Sequence, residues 1–347
     1  MKPQLVRVPS IRSPIQPSPG FAKKLLADYK LDRIGLCEFG CRYCSSNTGN
    51  YLRINRTRFA DLTEQQLGVR STPSENPRLM FSWPDFSERL EDQLNRKSAG
   101  WGEGETLVYS MLTDGFSPTL VRTGETEATL RAVLNRTAFR IRILTKNAIV
   151  GAEHWLRFFA RHPRRFVIGL STGTTDDSWS KKVEQFTPPP SRRLQALNQL
   201  QDAGLSTYGM LCPLFPDMLD GQRLESLIDG IRPELVEHVW AEPFNDRANW
   251  RQVRAGYSAN SIGYKWLTAV FEKRQRNLWS EYATELYVRL RDKARREGWS
   301  HKLRYLLYEG GIEHKDAAAF EKFEGVLLQS KTAPNGKSSN PYLAAMQ

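Results

Sequence analysis

From Thr106 to Ala241 short apolar runs alternate with longer amphipathic stretches, and this alternation restricts the chain to βαβ units around a parallel sheet. Thr106–Met111, Phe139–Leu144, Phe166–Leu170, Leu205–Cys212 and Val236–Ala241 read as strands. Helices are expected at Thr126–Leu134, Ala152–Arg161, Ser191–Ala203 and Arg223–Gly230, and Gly204 stands where a helix C-cap favours glycine. Leu31–Leu36 reads as a first strand upstream. Six strands with helical connections suit a partial, TIM-type (β/α)6 barrel better than a closed eightfold one.

The flanks read differently. Residues 1–30 form an N-terminal arm, rich in Pro and Ser over its first 20 residues and expected to carry little regular structure. The barrel spans 31–245 with a polar insertion at 47–104, in which a helix is expected near Ser87–Lys97. Phe81, Trp83, Pro84 and Phe86 are assigned to packing. Residues 246–330 read as a C-terminal helical extension, with helices at Ile262–Lys273 and Leu278–Glu297 and a last strand at His301–Tyr308. A tail follows at 331–347.

Composition narrows the class. With 40% hydrophobic and 25% charged residues the chain reads as a soluble globular protein. No stretch approaches the roughly 20 apolar residues of a membrane span, and no secretory signal stands at the N-terminus, so a cytoplasmic location without membrane association is expected. The 50 Lys and Arg residues outnumber 38 Asp and Glu, a balance that favours polyanions such as nucleic acid, although the basic residues fall in separate clusters.

Three of the four cysteines lie together, in Cys37-Glu-Phe-Gly-Cys41-Arg-Tyr-Cys44. Such crowding argues for metal ligation in a reducing compartment rather than for a disulfide framework. Thiolate sulfur suits iron–sulfur clusters and zinc alike. Structural zinc normally takes four ligands, often as two separated pairs, and no second Cys/His pair follows. Count and spacing therefore favour a [4Fe-4S] cluster with one iron left open, over zinc or unligated thiols.

The pattern C-x3-C-x2-C, with aromatic Tyr43 before its last cysteine, resembles the signature of the radical SAM superfamily. Further segments are similar to its spore photoproduct lyase-like, or DNA-photolyase-like, branch. These are Leu112-Thr-Asp-Gly-Phe-Ser-Pro118, Leu144-Thr-Lys-Asn147, Ile168-Gly-Leu-Ser-Thr172, and the run from Phe186 through Leu194 to Asp202-Ala-Gly204. The resemblance covers about Cys37 to Glu242 and implies a radical SAM barrel. It implies that Cys37, Cys41 and Cys44 hold the cluster, and that the open iron chelates S-adenosyl-L-methionine. A donor such as flavodoxin or ferredoxin would supply an electron, and the resulting 5′-deoxyadenosyl radical would abstract hydrogen from substrate. Carried over by position, Tyr43 packs near the adenine, Thr113 lies near the methionine moiety, Lys146 contacts the carboxylate, and Ser171 lies near the ribose or carboxylate.

The departures count as well. Met111-Leu112 stands where the lyase has a cysteine hydrogen donor, and Ser45 replaces its tyrosine after the last cluster cysteine. Cys212, ending a strand, is the alternative hydrogen donor, set against inert packing. Glu242, in Glu242-Pro-Phe-Asn245, is a candidate substrate or cofactor contact, set against loop capping. Asp114 is assigned to its turn rather than to substrate, Tyr109 and Trp240 to the core rather than to the cavity lining, and His154 to the surface or to packing. The expected activity is hydrogen abstraction from a nucleic-acid or nucleotide-like substrate, in repair or modification. The alternatives are radical modification of a small metabolite or peptide, and a binding module with a structural or redox-sensing cluster.

Overall fold

Every residue of Phe166–Ser171 is buried, as expected of a parallel strand covered on both faces. Around it the computed structural model describes residues 3–8, 13–44, 50–244, 249–307, 311–321 and 326–329. Its strands are β1 (Gln4–Arg7), β2 (Ile15–Pro17), β3 (Tyr29–Leu31), β4 (Ile34–Leu36), β5 (Leu79–Ser82), β6 (Thr106–Tyr109), β7 (Arg140–Thr145), β8 (Phe166–Ser171), β9 (Thr207–Leu214), β10 (Val239–Pro243), β11 (Leu303–Leu307) and β12 (Val326–Gln329). The main sheet has the order β12-β11-β10-β9-β8-β7-β6-β3-β2. It is parallel throughout except at β2, which runs antiparallel to β3. The fold is α/β, with helices between consecutive parallel strands.

Period-two alternation decides what each face carries. Leu107, Tyr109, Ile141, Ile143, Ile168, Leu170, Leu211, Val239, Ala241 and Tyr305 point into the large core shared with the helices. Val167, Tyr208, Met210, Trp240 and Leu306 belong to a second cluster on the opposite, inner face. Gly169 is required there, because a Cβ would sit 2.4 Å from the Tyr208 ring. Arg142 is held between the Tyr208 and Trp240 rings, 4.9 and 4.7 Å from their centroids.

The helix Pro190–Asp202 ends in a Schellman motif at Gly204 (φ +70°), with Leu205 N bonded to Leu200 O and Gly204 N to Gln201 O. This matches the sequence expectation. The run Leu31–Leu36 instead divides between two sheets: β3 pairs with β6, whereas β4 joins β1 and β5 in a small second sheet. Between them Arg33 turns its side chain over the Phe86 ring and onto Glu125.

The N-terminal arm also departs from expectation. It supplies β1 and β2, and Phe21 and Leu26 pack on the inner face. The insertion contains the expected helix, at Phe86–Asn95, together with an unforeseen helix at Asn50–Leu67 and strand β5. Phe81 stacks on Phe59 and Trp83 on Phe86, the packing roles assigned to them. Beyond β10 the chain is helical at Ile262–Leu267 and Arg276–Arg296, and it also adds β11 and β12 to the main sheet. Phe244 N donates to Tyr282 Oη and Trp279 Nε1 to Phe244 O, fastening the long helix to the end of β10. Among the described residues no helix is long and apolar enough to cross a membrane.

Candidate functional site

The cysteine loop leaves β4 and is pinned on both sides. Glu38, fully buried, accepts from Ser117 Oγ at 2.9 Å and Thr119 N at 2.6 Å, and pairs with Arg78 at 3.3 Å. Cys41 forms an isolated antiparallel bridge with Glu184, and Arg42 N donates to Val183 O at 2.8 Å. Gly40 has φ +62°, and a Cβ there would lie 2.7 Å from Pro77 Cβ, so both backbone and space call for glycine.

Cys41 is buried, Cys37 and Cys44 are half-buried, and no disulfide joins them. Burial pushes the Cys37 thiol up; the Cys44 sulfur and Asp114 add to this, while backbone N–H groups of Phe39 and Asp114 oppose it. Burial also raises the Cys41 thiol; Lys146 opposes that, and Glu184, Cys44 and Cys37 reinforce it. The three sulfurs are thus near enough to feel one another's charge. Among the described residues no group of three or more His, Cys, Asp or Glu side chains is arranged to hold a single metal ion. Three soft donors in mutual range, one of them met by two backbone N–H groups, fit a thiolate-bound polynuclear cluster.

The ends of β7 and β8 bring the next residues in. Lys146 Nζ donates to Ser171 Oγ at 2.8 Å, pairs with Glu184 Oε1 at 3.0 Å and lies 5.4 Å from the Tyr43 ring centroid. Ser171 Oγ in turn donates to Cys212 O at 2.8 Å. Tyr43, Lys146 and Ser171, far apart in sequence, therefore meet beside Cys41. Sequence reasoning missed the residue that joins them. Glu184 also accepts from the Tyr43 hydroxyl, from Ser180 Oγ at 2.8 Å and from Arg193 Nη2. Burial disfavours the Glu184 carboxylate, but Arg193 and Lys146 outweigh it and hold the group well below the usual carboxylate range. The available signal was an acid just before the Pro188–Pro190 run and an arginine in the first turn of the helix after it.

Thr113 Oγ1 donates to Ile34 O at 3.2 Å, which ties the turn after β6 to β4. Asp114 accepts from Thr145 Oγ1, Lys146 N and Phe116 N at 2.8, 2.8 and 2.9 Å. It closes its own turn and clasps that turn to the end of β7. Burial pushes its carboxyl up to about 6.

Cys212 Sγ donates to Glu242 Oε2 at 2.9 Å, so the ends of β9 and β10 meet through the two side chains. Burial, and then Glu242, raise the Cys212 thiol well above its ordinary value, and Lys24 of the arm lies near enough to oppose them. Met111 is half-buried on the same inner face. Tyr109 is buried in the helix-side core and Trp240 in the inner-face cluster, both as packing residues. His154 is exposed and bonded to Glu127. The calls on Ser45, Asn245, Tyr308 and the tail fall outside the described residues.

No model of a known protein family matches the chain. An uncharacterized protein of Methanocaldococcus jannaschii is 25% identical over 224 residues, which are 64% of this chain and 71% of that one. Among solved structures, a spore photoproduct lyase variant with bound AdoMet and dinucleoside spore photoproduct is similar at TM-score 0.43 and 16% identity, over 73% of this chain and 66% of that one. The protein anSMEcpe with bound AdoMet is similar at TM-score 0.46 and 10% identity, over 87% of this chain and 62% of that one. The chain thus spans just under two thirds of the length of each solved relative.

Proposed function

We propose that this chain is a radical SAM enzyme acting on a nucleic-acid or nucleotide-like substrate. One observation carries the reading: Lys146, bonded to Ser171 and poised over the Tyr43 ring, shares Glu184 with Cys41, the central cysteine of the three in its loop. Cys37, Cys41 and Cys44 would hold a [4Fe-4S] cluster, and S-adenosyl-L-methionine would be its open-site ligand. When bound, this pair supplies one-electron cleavage of a sulfonium C–S bond and a radical able to take hydrogen.

The roles of the chain's own residues follow from chemistry and position. The Lys146 ammonium binds a carboxylate as a charge-assisted partner, and the Ser171 hydroxyl orients it. Tyr43 offers a ring face for a flat heterocycle, and Thr113 keeps the turn after β6 against β4, the strand from which the cysteine loop leaves. Glu242 accepts the Cys212 S–H and is the polar group for substrate at the end of β10. Cys212 holds a transferable hydrogen. All stand at or just beyond C-terminal strand ends, the edge at which α/β barrels build sites.

The formal charge of +12 supports a polyanionic substrate, and a duplex would have to expose the target base. A flavodoxin or ferredoxin would serve as the electron donor. The test is anaerobic reconstitution with iron and sulfide, then reduction in the presence of S-adenosylmethionine. Formation of 5′-deoxyadenosine that requires all three cysteines is expected. Its absence, with a full cluster present, would count against the reading.

A further inference from the structure

Four side chains from four places in the fold meet one buried carboxylate. Tyr43 comes from the cysteine loop, Lys146 from the end of β7, Ser180 from the helix Asp177–Val183, and Arg193 from the helix Pro190–Asp202. The carboxylate is that of Glu184, whose own backbone bridges to Cys41. Arg193 is fully buried and is itself fixed, donating from Nη1 to Ser171 O at 2.6 Å and from Nη2 to Ser180 Oγ at 3.2 Å. A carboxylate serving only to neutralise Arg193 would have no need of Tyr43 or Lys146. Here both are drawn to the same oxygen, Oε1, which Arg193 Nη1 reaches only at 3.5 Å, while Oε2 takes Ser180 and Arg193 Nη2.

We infer that Glu184 is a positioning residue, which fixes Lys146 Nζ and the Tyr43 ring relative to Cys41, with Arg193 as the buried counter-ion that fixes Glu184. This rests on the radical SAM reading for what Lys146 and Tyr43 receive, though not for the arrangement itself. The physical gain is preorganisation. A lysine side chain has many rotamers, and one already held at its station loses little freedom when an anion arrives. Ser171 alone offers one hydrogen bond to Lys146, whereas Glu184 adds a charge that selects a single direction for the ammonium.

Glu184→Gln keeps the shape and an acceptor for Tyr43 but removes the charge. In the apoprotein, acylation of Lys146 by an amine-reactive ester, followed peptide by peptide, should rise about tenfold while exposed Lys181 and Lys182 stay unchanged. After reconstitution, iron content should hold and affinity for S-adenosylmethionine should fall about tenfold. Should the glutamine variant fail to fold, Arg193→Lys retains the charge but loses the planar fork, and a rise in Lys146 acylation is expected again. Unaltered acylation in whichever variants fold, or altered acylation with unaltered affinity, overturns the positioning role. A wild-type protein that takes up the cluster yet binds no S-adenosylmethionine counts against the radical SAM reading instead, and leaves the apoprotein result to decide the role of Glu184.

Discussion

Cys212 Sγ and Glu242 Oε2, 2.9 Å apart, join the C-terminal ends of β9 and β10 through a thiol that donates to a carboxylate. Burial and the neighbouring negative charge both keep that sulfur protonated. A thiol so held is a poor nucleophile, since attack needs the thiolate, whereas an S–H bond remains available to a radical. Cys212→Ala should leave 5′-deoxyadenosine formation within about threefold of wild type while lowering the yield of substrate-derived product about tenfold or more. Equal losses in both, measured by chromatography of the same reaction, would assign Cys212 to packing.

Lys146→Met keeps most of the side-chain volume and removes the ammonium. Affinity for S-adenosylmethionine should fall by about one to two orders of magnitude, as expected when a charge-assisted hydrogen bond is lost, with the cluster absorbance retained. Equilibrium dialysis checks this. Unchanged affinity would leave Lys146 as a rim residue.

Gly40→Ala asks a left-handed residue to carry a Cβ that meets Pro77. The conformational penalty of about 1–2 kcal/mol adds to the clash. Because the strain falls on the loop between two cysteines, iron uptake should fall well before global unfolding is seen. Iron assay and a thermal melt on the same sample separate the two effects.

His238 stands on the inner face beside the Trp240 ring. Burial, then Arg304 and Arg142, lower it to about 4 from its ordinary 6.5. The unfolded chain therefore binds a proton there that the folded chain refuses, and stability falls as pH drops from about 6.5 toward 4. His238→Gln should flatten the dependence of Tm on pH across that window. An unchanged slope would place the acid sensitivity elsewhere.

Strands β6 to β10 were legible because each is a short, apolar run bounded by amphipathic helices, and Gly204 marked its helix end without ambiguity. The small sheet was not. The partners of β4 and β5 are fixed by tertiary contacts such as Val6 and Phe59 against Phe81, not by a local period. The helix Asn50–Leu67 is rich in Asn, Arg, Thr and Gln, which blurs its apolar stripe. At the site, the cysteine spacing and the strand-end residues Lys146, Ser171 and Cys212 could be picked out in advance. The ion pair of Glu184 with Arg193 was missed, because an acid and an arginine flanking a proline run are a weak signal until folding has hidden both members. β11, five residues within the expected run His301–Tyr308, was legible beyond the long helix, whereas the four-residue β12 was too short to announce that the sheet continues.

The most direct measurement is Mössbauer and electron paramagnetic resonance spectroscopy of anaerobically reconstituted protein, before and after S-adenosylmethionine is added. A [4Fe-4S] cluster in which one iron alone changes its signature on addition is the expected result, since three cysteine thiolates leave one site open. A lone zinc atom with four protein donors, or a cluster indifferent to S-adenosylmethionine, would contradict it.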